Sequence, residues 1–422
     1  MIPLDAVAFL GSLDFVSLVV LFWYTTLLEV PRYVIGAIAA AIAALSERPR
    51  QPPDTNLSVS VILAGHNEAQ SLRACVSGLA EQTLTDRSRL QVVVVDDGST
   101  DGMADAAHDL RGEGLVDEVL RLRHRGGKSA AVNLGLGSCT GDVIVIADID
   151  TSFDRDALAV VLGYFAADPR LGAVGGDLGV RNECASLVTR CQAIEYGISV
   201  SLGRRVADLL GILSMVSGAF GAFLRSAIEG VGGQDVEVGE DADLTMKLRR
   251  AGWRIQFAPE ARALTQVPET VPALIAQRLR WDRGIVTIWL RKYRTVFDPR
   301  QSTFRALDVL ASLDVLVFQF LLPLAFPVYL VWLWWHFGAF AITLVGATLV
   351  GYLILDLVAV IAAAAVQVER PLGIIIYLPL YTLLQLVLRI VRLIAIFQEL
   401  IFRTSYRDPY VPARVMRRAA RV

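Results

Sequence analysis

Cysteine is scarce in this chain: four residues in 422 (Cys75, Cys139, Cys184 and Cys191), with no CxxC spacing among them. That pattern excludes a zinc site and a disulfide framework, and it predicts reduced thiols in a cytosolic setting. Charge is scarce as well, at 19% of residues with a net charge of −2. No overall basic excess exists to attract nucleic acid. The first apolar run is not followed by a small-residue cleavage site, so no removable signal peptide is expected.

Apolar residues are abundant, at 54% of the chain with a mean hydropathy of +0.51, which is too apolar for a soluble enzyme of this size. They concentrate at the two ends. Residues 7–28 are apolar except for Asp14, a length that can cross a bilayer of about 30 Å. A shorter apolar piece, Tyr33–Leu45, fits a second crossing or an extension of the first helix. Later apolar runs lie at about 309–335, 339–365 and 372–397. The last contains Pro379, Arg389 and Arg392, which suit a segment that bends back or lies partly in the membrane interface. If all three late runs cross, the basic tail (Arg414, Arg417, Arg418, Arg421) ends outside, against the positive-inside tendency. The expected division is 1–55 for N-terminal membrane segment and linker, 56–268 for a soluble α/β domain, and 269–305 for amphipathic interface helices. Residues 306–400 are expected as C-terminal membrane helices and 401–422 as a basic tail.

Within the middle region, Val143-Ile144-Val145-Ile146 reads as a strand buried on both faces, ending in Asp148-Ile149-Asp150. Val59–Ala64 and Gln91–Val95 are further strands, ending in Asn67-Glu68 and Asp96-Asp97. A third short strand, Val116–Arg123, leads to Gly126-Gly127-Lys128 and an alanine-rich helix. Strand and helix alternate, which predicts an α/β fold with a mostly parallel sheet and right-handed crossovers. Each acidic pair alone fits a loop or helix cap. Three on one carboxyl edge of one sheet mark the place where open α/β sheets bind ligands. Carboxylate oxygens there select hard cations, Mg²⁺ or Mn²⁺, which usually arrive with phosphates.

Downstream, Ser217 and Gly218 open a run of small residues alternating with aromatics, a surface that a flat ligand can approach and that a tight turn would also use. Glu240 and Asp241 begin a helix, where a charge complementing the helix dipole is the plain alternative to a catalytic role. Residues 271–296 form an amphipathic stretch carrying Gln277, Arg280 and Trp281, a composition suited to a membrane interface.

Together these motifs resemble the membrane-embedded family 2 glycosyltransferases, the poly-N-acetylglucosamine, hyaluronan, chitin and cellulose synthases. The resemblance covers Val59 to about Arg294 and rests on three acidic motifs in order, Val216-Ser217-Gly218, Pro268-Glu269-Thr270 and Gln277-Arg278-Leu279-Arg280-Trp281. It implies a cytosolic GT-A domain, Rossmann-like, on a multi-pass bacterial inner-membrane enzyme. By that resemblance Asn67, Glu68, Asp96, Asp97, Lys128, Asp148, Gln277 and Arg280 bind a UDP-sugar, and Asp148 and Asp150 hold Mg²⁺ or Mn²⁺. Asp241 matches the general base with Glu240 beside it, while Trp281, Ser217 and Gly218 meet the acceptor. Two departures stand out: Leu63 replaces the usual proline of the first strand, and Asp282-Arg283-Gly284 after Trp281 matches no one polymer class.

The implied reaction is inverting, processive transfer from UDP-N-acetylglucosamine or UDP-glucose to a β-linked polysaccharide exported through the membrane. A lipid bilayer and an accessory export subunit are the implied partners. The rival is a single-transfer enzyme acting on a membrane lipid, similar to ceramide glucosyltransferases. A catalytically dead partner subunit is disfavoured because the acidic, arginine and tryptophan positions are all intact.

Overall fold

The computed structural model describes residues 4–46, 55–84, 87–236, 238–301, 304–366, 372–407 and 412. Arg48 and Arg50 of the expected linker, and the arginines of the basic tail from 414 onward, lie outside the described residues.

The first apolar stretch is not one straight crossing. Helices α1 (Leu4–Ser12) and α2 (Phe15–Leu21) part at Asp14, whose side chain caps α2 by accepting from the Ser17 amide at 2.7 Å. A π-turn, Tyr24–Glu29, leads directly into α3 (Val30–Ser46), and the chain bends by 88° between α2 and this helix. The expected second apolar piece is therefore the continuation of a single bent helix.

The α/β domain begins with β1 (Val59–Gly65), then α4 (Ala69–Ala80), β2 (Leu90–Asp96), α5 (Met103–Gly112), β3 (Glu118–Arg121), α6 (Lys128–Leu136) and β4 (Val143–Ala147). Next come β5 (Ser152–Phe153), α7 (Ala157–Ala167), β6 (Leu171–Val180), α8 (Leu187–Glu195), α9 (Gly203–Leu209), β7 (Phe220–Leu224), α10 (Arg225–Gly230), α11 (Glu240–Arg250) and β8 (Arg254–Thr265). One eight-stranded sheet results, ordered β3-β2-β1-β4-β7-β6-β8-β5. The β3-β2-β1-β4 half is parallel, whereas β7 runs antiparallel to both β4 and β6.

β-branched residues dominate the central strands because both faces are covered: Val61, Ile62, Val92–Val95 and Val143–Val145 are fully enclosed. Their register aligns the carboxyl ends. Gly65 pairs with Asp96 and Leu63 with Ala147, so the residues just beyond β1, β2 and β4 share one edge.

After the sheet, α12 (Val271–Val286) starts at Thr270, whose hydroxyl accepts from the Ala273 amide, with Pro272 in the first turn. A π-turn, Thr287–Lys292, continues it. Then follow α13 (Ala306–Val315), α14 (Leu322–Phe337), α15 (Ala341–Val366) and α16 (Leu378–Phe402). Two helical runs, Ala306–Ala365 and Gly373–Phe402, are long and apolar enough to cross a membrane, and the bent N-terminal pair makes a third if counted as one span.

The 306–365 run doubles back at Gly338, where φ is +54°. Tyr329 stacks on Tyr24 at 5.6 Å, and Arg389 bonds both Tyr24 and Tyr352. A straight helix would hold positions 329 and 352 about 35 Å apart, so only a hairpin brings both to Tyr24.

Candidate active site

Beyond β1 the chain turns at Asn67, which adopts φ +61° and whose side-chain oxygen accepts from the Thr100 amide at 2.8 Å. That turn delivers Glu68 to the shared edge. Burial, then the nearby Asp148 and Asp150 carboxylates, push Glu68 up to about 7, and one of its oxygens is buried without a hydrogen-bond partner. Asp150 accepts from the Thr265 hydroxyl at 3.2 Å, and burial followed by Asp148 raises it to about 6. Asn67, Glu68, Asp101, Asp150 and Gln266 line an open cleft of about 500 Å³.

Asp97 and Asp96 do different things from one another. Asp97 accepts from the Gly126 and Gly127 amides at 2.5 and 2.9 Å, so it holds the glycine turn that starts α6. Asp96 is fully enclosed, ion-paired to Arg121 at 3.0 Å and bonded by the Ser99 amide at 2.8 Å. The sequence does not distinguish these neighbours; in the structure Asp96 ties the β2 end to its own loop and does not line the cleft.

Lys128, the first residue of α6, donates to Asp148 and, at 3.1 Å, to the Gly218 carbonyl. Gly218 is the hinge between the two halves of the site. A methyl built there would lie 3.1 Å from Lys128 Nζ, 3.7 Å from Asp241 Cβ and 3.8 Å from Glu240 Oε1. Lys128, which holds Asp148, and the Asp241–Glu240 pair therefore meet over a glycine that leaves the space between them open. Ser217 accepts from the Ala219 amide at 3.3 Å, fixing this turn, and the Thr151 hydroxyl donates to the Ala219 carbonyl at 3.3 Å.

Gly239, at φ +91°, starts α11 and sets Glu240 and Asp241 on its first turn. Asp241 Oδ1 accepts from the Ala242 amide at 2.8 Å. Glu240 is pushed up by burial and then by Asp241. Asp243, by contrast, is fully buried and bonded by Lys292 at 2.7 Å and the Tyr293 hydroxyl at 2.8 Å. Its role at the helix start is to bind α11 to the helix that carries Trp281.

On α12 the neighbours of the signature divide the work. Trp281 keeps 40% of its surface exposed, and the Arg278 guanidinium lies 4.3 Å from its ring centre. Arg278 is itself buried against Glu195 of α8 at 2.7 Å. Arg280 is half-buried, and Gln277 has a buried side-chain oxygen with no hydrogen-bond partner. The sequence offered no signal for Glu195, Thr265 or Gln266 as members of this site, because each is an ordinary polar residue far along the chain.

As to a metal, Asp148, Asp150 and Glu68 repel one another at one edge and expose hard oxygen donors, the set that Mg²⁺ or Mn²⁺ prefers. Among the described residues no three of them form a complete cage. A cation here would take one or two carboxylates and complete its shell with diphosphate oxygens.

The fold defines a GT-A glycosyltransferase architecture. A mannosyltransferase from Pyrobaculum calidifontis, solved in complex with GDP-Man and Mn²⁺, superposes with a TM-score of 0.65 over 90% of this chain and 99% of its own, at 21% identity. Residues 60–232 match the family model Glycosyl transferase family 2. Homologues include the poly-beta-1,6-N-acetyl-D-glucosamine synthase of Staphylococcus aureus (strain COL), 30% identical over 246 residues, 57% of this chain and 58% of that protein. The Staphylococcus epidermidis (strain ATCC 35984) enzyme of the same name is 29% identical over 236 residues, 56% of each chain. The chain thus spans a little over half the length of the curated relatives it matches.

Proposed function

We propose that this protein is a membrane-bound, inverting glycosyltransferase that extends a β-linked polysaccharide from a UDP-sugar, UDP-N-acetylglucosamine or UDP-glucose. The observation that carries the reading is the meeting, across Gly218, of the Lys128–Asp148–Asp150–Glu68 edge with Asp241 and Glu240. In this reading Glu68 faces the nucleotide, Asp97 shapes its pocket through the Gly126–Gly127 turn, and Asp148 and Asp150 hold Mg²⁺ or Mn²⁺. When bound, the cation neutralises charge on the leaving diphosphate.

Lys128 and Arg280 contribute positive charge to the same oxygens. The acceptor hydroxyl attacks the anomeric carbon while its proton passes to Asp241, and the carbon–oxygen bond to the diphosphate breaks. One displacement inverts the centre. Trp281, held by Arg278, offers a ring face to the acceptor sugar. The similarity to poly-beta-1,6-N-acetyl-D-glucosamine synthases supports the polymer as product, and the apolar helices support a membrane setting.

The test is incubation of the full chain in nanodiscs with each radiolabelled donor, with and without EDTA. A long labelled polymer, formed only with Mg²⁺ or Mn²⁺ present, is expected. Calorimetric UDP binding should weaken in EDTA in parallel. A single labelled lipid as sole product would replace polymer synthesis with the lipid-transfer reading, and full turnover in EDTA would refute the metal.

A further inference from the structure

The geometry points to α16 as a helix lying in the membrane interface on the side of the α/β domain, its apolar face docked on lipid, so that the chain after it stays on that side. This rests on the membrane reading above and goes beyond it.

By length and apolarity α16 qualifies as a crossing, at 25 residues within the run 373–402. Its contacts say otherwise, because both ends reach the domain side: the start packs on α8, and the end packs on the Thr287–Lys292 turn, which Lys292 ties to Asp243 of the α/β domain. At its start, Leu378 and Tyr381 pack on Cys191 and Ile194 of α8. Near its end, Glu399 is fully buried, ion-paired to Arg291 and bonded by the Ser405 amide at 2.7 Å. Between them it runs alongside α12 in the same direction. Arg392 meets Asp282 at 3.0 Å and Gln398 accepts from Arg283 at 2.5 Å.

A helix that crossed a bilayer could not return both ends to the same soluble domain, since 25 residues advance about 37 Å along one axis. Along its length it also crosses the apolar helices, through Thr382 to Asp356 of α15 at 2.7 Å, Arg389 to Glu29 at 2.9 Å and to Tyr24 at 3.1 Å, and Ile396 to Val315 and Phe320.

Among the described residues, none covers the opposite face. Leu383, Val387, Ile390, Ile394, Phe397 and Ile401 recur at spacings of three and four and are 41–65% exposed. Val331 and Ile354 of the neighbouring α14–α15 hairpin are exposed as well. The occupant that matches an unbroken apolar stripe beside spanning helices is the acyl–headgroup boundary of the bilayer. The hairpin leaves the domain through α13 and α14 and returns through α15, where Ala363 packs on Leu202 beside α9. With α16 in the plane, the chain that leaves it at 404–407 is on the side of the domain, Ser405 accepting from the Thr287 hydroxyl at 3.4 Å.

The experiment uses the full chain, Cys184→Ser, which removes the exposed cysteine and leaves the buried Cys75, Cys139 and Cys191. One cysteine is introduced at Leu383, Ile390 or Phe397, labelled with an environment-sensitive fluorophore, and the protein is reconstituted with nitroxide lipids quenching at shallow and deep positions. A Val331→Cys control reports the spanning hairpin. Equal, shallow depths at the three α16 positions are expected, together with a C-terminal tag open to protease only from the side of the α/β domain. Depths that differ by roughly 20 Å along those 14 residues, or a tag on the opposite side, would overturn the inference in favour of a crossing. Quenching at Val331 with none on α16, and concentration-dependent label–label transfer, would replace lipid with a second copy of the chain. Loss of quenching at Val331 as well would overturn the membrane reading itself.

Discussion

Asp241 and Glu240 are adjacent and both face Gly218, so the choice of base between them rests on what each is bonded to. The Asp241 carboxylate accepts from the amide that follows it, a contact that asparagine preserves, and lies near the Arg204 charge, while burial holds Glu240 towards its protonated form. Asp241→Asn is therefore expected to fold and to bind UDP within about two-fold of the parent, while turnover falls by about 10²–10⁴, the usual cost of a lost general base. Calorimetry beside a rate assay checks it, and activity within a few-fold of the parent would move the base to Glu240. Glu68 supplies a pH signature. Its folded value of about 7 lies above an unfolded value near 4.5, so the folded state holds the extra proton between these limits. Stability from this group is complete below pH 4.5 and declines as pH rises to 7. The melting temperature of the metal-free enzyme should fall across that window relative to Glu68→Gln, and Mn²⁺ at pH 7.5 should narrow the difference.

At the level of the element, Asp282-Arg283-Gly284 has a physical account that the resemblance did not provide. Asp282 and Arg283 are the contacts of α12 to α16, and Gly284 is where α12 presses on the loop that leads into α11. A methyl at 284 would sit 2.9 Å from the Val238 carbonyl oxygen and 3.2 Å from the Gly239 nitrogen. Both are backbone atoms that cannot rotate aside. Alanine in place of a mid-helix glycine ordinarily stabilises by about 1 kcal/mol. Here overpacking of about 1–3 kcal/mol opposes it. Gly284→Ala should lower the melting temperature and reduce turnover, although residue 284 touches no substrate in the proposed reaction. A stabilised, fully active variant would show that the two segments separate freely.

Across the whole molecule, two arginines of α16 join regions that the chain order keeps apart. Arg389 holds Glu29 of the N-terminal bent helix, and Arg392 holds Asp282 next to Trp281. The acceptor ring is thereby referenced to the apolar helices as well as to the sheet. Asp282→Arg and Arg392→Asp singly are expected to raise the acceptor KM and shorten the product while leaving UDP affinity unchanged. The double variant, with the pair reversed, should recover part of both. Equal loss of donor binding in the single variants would mean that the ion pair supports the fold generally instead of placing Trp281.

Local features of the sequence were enough for the buried strands, their acidic ends, the amphipathic α12 and the apolar runs, because side-chain periodicity and polarity act over a few residues. That local signal placed Glu68, Asp97 and Asp148-Ile149-Asp150 at one edge and Lys128 at a glycine turn beside them. It could not separate Asp96, enclosed by Arg121, from Asp97, which grips the Gly126 and Gly127 amides. It also gave no sign that residues 7–28, long enough to cross, break where Asp14 caps a new helix and bend beyond it. Only the tertiary structure set Gly218 between the two groups of carboxylates, joined Arg278 to Glu195 across 83 residues, and joined Asp282 to Arg392 across 110. Apolarity likewise left α16 undecided, since the interface and the bilayer core both accept leucine and isoleucine. The partners at its two ends decide where it lies, and a charge finds its partner through the folded distance, which chain spacing does not encode.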